Sequence, residues 1–362
     1  MYEKELLEET QMKKKNLLSA VLTVVLALAM CLSLAACGST AAPAATEAPA
    51  ADAAPAAEDA APAEDTAAGS DKVFTVGICQ LVQHDALDAA TQGFMDTLKE
   101  KLGDNVVFDV QNAAGDSAAC STIVNSFVSK NVDLILANAT PALAAAYNAT
   151  SDIPILGTAV TEYGVALGID DFSGTVGGNV SGTSDLAPLD EQANMIVELF
   201  PEAQTVGLLY CSAEPNSEYQ VQVVEKALTA KGITCTRYSF ADSNDVASVT
   251  TKAAADSDVI YIPTDNTAAS CTETIGNIVL NAKTPVIAGE AGICKGCGVA
   301  TLSISYYNLG ATTGEMAAKI LTGEADISTM PIEYDASPVK QYNPTVCEEL
   351  GIAAPEGYEA LS

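Results

Sequence analysis

Tryptophan is absent from the 362 residues, histidine occurs once, and Lys and Arg together number 16 against 47 Asp and Glu. Each shortage excludes something. A formal charge of −31 argues against a nucleic-acid partner, because backbone phosphates need a Lys/Arg footprint. A Ser-His-Asp triad has only His84 to draw on, and no Gly-x-Ser-x-Gly elbow is present. No Walker loop or Gly-x-Gly-x-x-Gly turn follows a strand-like run. The chain therefore reads as a non-enzyme without a cofactor or a metal. With aromatics at 5%, stacking on a ligand must use Tyr or Phe. What is abundant is apolar: 49% hydrophobic residues exclude a wholly disordered chain, and the length suits about two domains.

The ends differ from the middle. Lys13, Lys14 and Lys15 precede an uncharged apolar run over residues 17–34, the n- and h-regions of a secretory signal. The run is about as long as a short membrane span, so a retained signal anchor is the alternative. The stretch LAACG at 34–38 looks like a bacterial lipobox. Cleavage before Cys37 would leave that thiol to carry lipid, making 1–36 a signal peptide and the protein an extracytoplasmic, membrane-anchored one. Met12 is a more natural start than Met1. Residues 37–71, almost all Ala, Pro, Thr, Glu and Asp with no base before Lys72, cannot bury a core and serve as an extended spacer.

The folded part begins near Lys72 and has a plan that repeats. Residues 73–78 read as a buried strand, 86–102 as a helix stopped by Gly103, 106–110 as a strand, 117–130 as a helix and 132–137 as a strand. Then 205–210 echoes 75–79, and 258–262 echoes 133–136, with a helix over 219–231, a strand over 234–240 and a helix over 245–255 between them. Such alternation predicts α/β architecture, two doubly wound open parallel-sheet lobes joined by a hinge, with Pro201 and the acidic stretch before it between the halves. Strands over 285–288 and 298–303 and a helix over 308–321 follow, and periodicity assigns them to neither lobe.

Ligands of open α/β sheets bind beyond the carboxyl ends of the strands. In the first half those ends offer Gln80, His84 and Asp88, then Asn138 and Thr140, then Thr158 with Glu162 and Tyr163. In the second they offer Glu214, Asn216 and Ser217, then Asp265 and Asn266, then Glu290. Singly, each group also reads as a helix cap. Together they line one cleft with acids, amides and hydroxyls, which suits a zwitterion. Helix N-termini take a carboxylate, and a buried Asp88, Asp265 or Glu290 takes an ammonium. Tyr163, Tyr210, Tyr219, Tyr306 and Tyr307 can supply apolar faces, although most suit the core.

At these residues the chain resembles the ABC-transporter substrate-binding proteins of the importer family that includes tryptophan and tyrosine binders. The matching stretches are QLVQHDALDAATQGF at 80–94, DLILANATP at 133–141, NVSGTSDL at 179–186, YCSAEPNS at 210–217, YIPTDN at 261–266 and YYNLG at 306–310. The third adds Ser184 and Asp185 to the candidate ligand-binding residues. The resemblance implies a type I periplasmic-binding fold with three hinge crossings. It implies one lobe from 72–186 plus 304–330 and another from 187–303 plus 331–362. It also implies a monomer that works with an ABC permease and ATPase. Asp85 stands where the family often has Pro or a small residue, and Glu162-Tyr163 where Asp-Pro is usual. An amino acid, aromatic ones first, is the expected ligand. A nucleobase-like or other small polar solute is the alternative, as is a sensory or adhesive surface lipoprotein on the same fold.

Ten cysteines remain. Cys31 would leave with the signal and Cys37 would carry lipid. Cys294 and Cys297 have redox or half-zinc-site spacing, but no second pair or nearby His accompanies them. An exposed disulfide between them and free buried thiols, such as Cys79, Cys211 and Cys235, are both open.

Overall fold

Runs of Val, Ile and Leu in the first half are apolar on both sides because helices cover both sides of the sheet they form. In the computed structural model, which describes residues 72–334 and 337–361, the first sheet holds Phe74–Gln80 (β1), Val106–Asn112 (β2), Leu134–Asn138 (β3), Ile155–Val160 (β4) and Val180–Ser184 (β5). Its sixth strand arrives from far along the chain, Glu333–Tyr334 (β11), and the order is β11-β5-β4-β3-β1-β2 with every pairing parallel. Side chains alternate across it. Val76, Ile78, Leu134 and Leu136 pack toward Phe94 and Leu98 of Asp85–Leu102 (α1) and Met316 of Tyr306–Leu321 (α11). Cys79, Ile135 and Ala137, one position out of step, pack toward Phe127 of Ser117–Lys130 (α2) and Leu143 of Thr140–Ala149 (α3). A short helix, Tyr163–Leu167 (α4), follows β4. The signal peptide at 1–36, the lipid site Cys37 and the spacer at 37–71 lie outside the described residues.

The second sheet repeats the scheme with Thr205–Cys211 (β6), Thr234–Phe240 (β7), Val259–Ile262 (β8), Val286–Ala288 (β9), Ala300–Ser303 (β10), Val339–Tyr342 (β12) and Glu359–Ala360 (β13). Their order is β13-β12-β10-β9-β8-β6-β7, and only the β10–β12 pairing is antiparallel. One face packs on Leu189–Leu199 (α5) and Pro215–Ala230 (α6). The other packs on Val246–Asp256 (α7), Thr272–Ala282 (α9) and Ala291–Cys297 (α10). Asn266–Ser270 (α8) follows β8, and Pro344–Leu350 (α12) closes the tail. The segment before Pro201 is thus not a bare separator. It is helix α5, whose Leu189, Ala193 and Ile196 enter the second core.

The duplication extends to side chains. Asp133 clasps Thr75 with two hydrogen bonds, its Oδ2 accepting from the Thr75 N–H at 2.8 Å and its own N–H donating to the Thr75 carbonyl at 2.8 Å. Asp258 clasps Thr205 in the same way, at 2.9 and 3.1 Å. The chain passes between the sheets after β5, after β10 and after β11. The last passage lies later than residue 330. Glu333 and Tyr334 pair with Thr183 and Ser184, so the first sheet keeps the chain through Tyr334.

Helix α11 returns to the first sheet and lies against α1 at a distance that only glycine permits. A Cβ at Gly310 would overlap the Ala90 carbonyl, and one at Gly93 the Tyr307 carbonyl. Replacing Gly310 with Ala is expected to push the two helices apart and destabilise the protein by about 1–3 kcal/mol. Urea unfolding followed by far-UV circular dichroism checks this, and an unchanged midpoint would mean the helices have slack.

Candidate ligand-binding cleft

Because both sheets are essentially parallel, every β-to-α turn of a lobe opens at the same rim. On the first lobe's rim, Gln80 ends β1 and is fixed by a chain of hydrogen bonds whose direction is determined. The exposed Asp88 carboxylate only accepts, so Gln80 Nε2 donates to it at 2.6 Å and Gln80 Oε1 accepts from Thr91 Oγ1 at 2.7 Å. Thr91 Oγ1 in turn accepts from Asn138 Nδ2 at 2.9 Å, and the same amide donates to the Leu87 carbonyl at 2.8 Å. Asn138 Oδ1 is left without a partner although the residue is fully buried. Ala139 follows with φ of 94°, and α3 starts at Thr140 without a side-chain cap. Thr158 Oγ1 lies 3.2 Å from Thr183 Oγ1. Ser184 Oγ donates to the Thr161 carbonyl at 2.7 Å. Asp185 accepts from the Tyr306 hydroxyl at 2.9 Å, and its Oδ1 has no partner.

The second rim is built on carboxylates that cap helices. Glu214 accepts from the Asn266 and Thr267 N–H groups at 3.1 and 2.9 Å, from Asn266 Nδ2 at 2.6 Å and from Thr267 Oγ1 at 2.7 Å. Asp265 accepts from the Cys211 N–H at 2.6 Å and the Ala268 N–H at 2.8 Å. Glu290 accepts from the N–H groups of Gly292 and Ile293 at the start of α10. Asn216 Nδ2 donates to the Thr264 carbonyl at 3.1 Å and lies 3.3 Å from Ser217 Oγ, while its Oδ1 is buried and unpartnered. Of the three acids that suited an ammonium, Asp265 and Glu290 thus have both oxygens engaged as caps. Asp88 is exposed and bonded to Gln80, not buried.

The rims meet. His84 Nε2 lies 3.3 Å from Asn266 Oδ1. Since the Asn266 amide nitrogen donates to Glu214, its Oδ1 faces the ring, and the proton must sit on Nε2. Burial pushes the His84 pKa down, against the pull of Glu214, Asp88 and Asp85, which leaves Nδ1 an acceptor in the neutral ring. Burial raises Asp185 as well. It pushes Glu290 up to about 7, with the charges of Asp85 and Asp185 adding to the effect and the two capping N–H groups opposing it. Asp265 is raised in the same way by burial and by Glu214. A cavity of about 240 Å³ between the rims is lined by residues including Leu81, Asp116, Pro141, Cys211, Glu214 and Thr267, and no Lys or Arg lines it. Asn138, Asp185 and Asn216 are not among its lining residues; the buried, unpartnered Oδ1 atoms of these three rim side chains can accept and not donate. Such an arrangement fits a ligand that brings N–H donors and positive charge.

Two residues have roles that the sequence does not show. Asn138 is recognisable at a strand end, but only its partners Leu87 and Thr91, 51 and 47 residues away, show that its amide is buried and fixed. Tyr306 reads as an apolar face, whereas its hydroxyl holds Asp185. Tyr163 is fully buried, donating to the Thr183 carbonyl at 3.0 Å and stacking on Phe172, so it belongs to the core. Tyr307 is exposed, and its hydroxyl bonds Asp96. The exposed disulfide is absent. Cys294 and Cys297 are buried free thiols one helical turn apart in α10, their Sγ atoms donating to the carbonyls of Gly298 and Ile293.

The sequence profile of the family described as ABC transporter substrate binding protein matches residues 75–360. The chain belongs to that family. It is similar to the tyrosine-binding protein of Clostridioides difficile (strain R20291), with 36% identity over 266 residues, 73% of this chain and 76% of that one. Among solved structures it resembles an ABC domain in complex with L-Trp from Streptococcus pneumoniae (30% identity, TM-score 0.75, covering 80% of this chain and 99% of that one). It also resembles the ligand-free, open structure of a substrate binding protein with adhesive properties from Clostridium difficile (37% identity, TM-score 0.61, covering 80% and 99%). The more similar sequence superposes less well. The two lobes of this substrate-binding protein touch at the His84–Asn266 contact.

An acid whose folded pKa exceeds its unfolded value contributes stability at low pH that is lost as pH rises through the folded value. For Glu290 the window runs from 4.5 to about 7, an upper bound of ~3 kcal/mol. The ligand-free protein is expected to gain stability as pH falls from 8 toward 5. It then loses stability below about 4, as Asp109, Asp258 and Asp326, whose pKa values are lowered by hydrogen bonds, take up protons. Urea unfolding at pH 5 and pH 8 tests this. Glu290→Gln should flatten the upper window, and an unaltered pH profile would make Glu290 an ordinary cap.

Proposed function

We propose that this protein is an extracytoplasmic receptor, anchored through lipid on Cys37, that captures a free amino acid between its lobes and delivers it to the permease and ATPase of an ABC importer. Aromatic amino acids are the first choice. The observation that carries this reading is the set of buried acceptors without partners, Asn138 Oδ1, Asp185 Oδ1 and Asn216 Oδ1, on rims that hold acids and no cation. An ammonium supplies the donors those oxygens lack. The N-terminus of α3, uncapped by a side chain, and the hydroxyls of Thr140 and Ser217 suit the ligand's carboxylate. Two relatives support the choice, one named for tyrosine binding and one solved with L-Trp. No covalent step is involved. The ligand favours the apposed lobes because only there does it touch both rims.

A second reading, adhesion, is favoured by the relative described as having adhesive properties. The two readings separate in cells, since loss of the protein lowers uptake of labelled amino acid only under the transport reading. In vitro, L-tyrosine or L-tryptophan is expected to raise the unfolding midpoint, with a gain of about 2.7 kcal/mol at a ligand concentration 100 times Kd. Differential scanning fluorimetry against the twenty amino acids, nucleosides and sugars checks this. A shift produced by nucleosides or sugars and by no amino acid would overturn the assignment.

A further inference from the structure

We infer that Asp185 is the specificity-determining residue of the cleft: its free carboxylate oxygen takes the ligand's ammonium, while Tyr306 holds the other oxygen and acts as a positioning residue. The inference rests on the amino-acid reading above and names the group that enforces it.

Glu214, Asp265 and Glu290 spend both carboxylate oxygens on helix N-termini and neighbouring amides. Asp88 is exposed and bonded to Gln80. Asp185 alone among the candidate acids is buried, at 4% exposure, with an oxygen that has no hydrogen-bond partner, while Tyr306 and Thr161 are the side chains that favour its charge. The ion pairs among the described residues all lie elsewhere, so no Lys or Arg neutralises it. No three His, Cys, Asp or Glu side chains among the described residues are grouped to hold a metal ion, which favours an organic cation as the missing partner. A buried carboxylate with an open oxygen is costly, and a charged donor recovers that cost.

Asp185 directly follows β5, where the chain first leaves the lobe, and Tyr306 opens α11, where the chain has just returned. Their hydrogen bond therefore ties two hinge segments that are 121 residues apart in sequence. The backbone under Asp185 is pinned as well: its N–H donates to the Val160 carbonyl at 3.2 Å, and the next N–H, that of Leu186, donates to Ser184 Oγ at 3.2 Å. The free oxygen is thus presented in a fixed direction from the hinge rather than from a mobile loop, which is what discrimination by a single charge requires.

The test is isothermal titration of the protein with L-tyrosine and L-tryptophan and with their des-amino analogues, 3-(4-hydroxyphenyl)propionate and 3-(indol-3-yl)propionate. The wild-type protein should bind the analogues about 10- to 150-fold more weakly, the range for one charged hydrogen bond. Asp185→Asn, which still accepts from Tyr306, should weaken amino-acid binding by a similar factor and bring amino acid and analogue within a few-fold of each other. Tyr306→Phe should weaken binding less and keep the preference for the ammonium, whereas a purely structural loss would lower both ligands alike. Equal wild-type affinity for amino acid and analogue overturns the inference even if Asp185→Asn fails to fold. So does an Asp185→Asn variant that retains the discrimination. Absence of binding by either amino acid to the wild type overturns the aromatic choice and moves the same comparison to whichever amino acid shifts the unfolding midpoint; if none of the twenty does, the amino-acid reading falls and this inference with it.

Discussion

A carboxylate taken out of water needs donors or a cation, because the charge loses its hydration and nothing apolar replaces it. This molecule brings four buried acids, Asp185, Glu214, Asp265 and Glu290, to facing strand ends, and none of the ion pairs among the described residues involves them. Its solution is the helix N-terminus. Glu214, Asp265 and Glu290 are met by backbone N–H groups of α8 and α10 and of the β6 end, where the helix dipole adds its own favourable field. The parallel sheet makes this possible, since it aims helix starts at the same rim that carries the acids.

The hinge and the helix packing serve the same constraint. Rim residues keep their aim only if each lobe moves as a body. The first lobe is locked by α11 lying on α1 through Gly93 and Gly310, and by the side-chain relay from Asn138 through Thr91 to Gln80. The second is locked by Gln192, which donates to the carbonyls of Gly289 and Leu302 and accepts from the Tyr261 hydroxyl at 2.6 Å. Motion is left to the passages between sheets, and the Asp185–Tyr306 bond joins two of them.

Much of this was legible in the residues. The strand over Thr234–Phe240 and the helix over Ser117–Lys130 were readable to the residue, because alternation, an Asp cap and an Asn in the left-handed region mark their ends. Both lobes followed from the repeat. The short helices α4 and α10 were not readable, since five or seven residues carry too little periodicity. Strand β11 was missed because two exposed residues become a strand only by pairing with β5. The residues at the strand ends were legible as a group, and the partners of each were not. Asp88, Asp185, Asp265 and Glu290 look alike in sequence, and which of them keeps an oxygen free depends on partners such as Cys211 N–H and Tyr306 hydroxyl, 54 and 121 residues away.

The same electrostatics decides when the lobes meet. In the arrangement seen here the charges of Asp85 and Asp185 bear on the buried Glu290, and like charges brought together away from water oppose apposition. A ligand shifts the balance only by what it gains in the closed state over the open one. An ammonium gains much there, because its positive charge lies among several negative ones in a medium of low dielectric constant. A neutral solute of equal shape gains only its apolar contacts. Under the amino-acid reading proposed above, closure is selective through charge, and the acids that make the empty cleft unfavourable are the groups that would hold the ammonium.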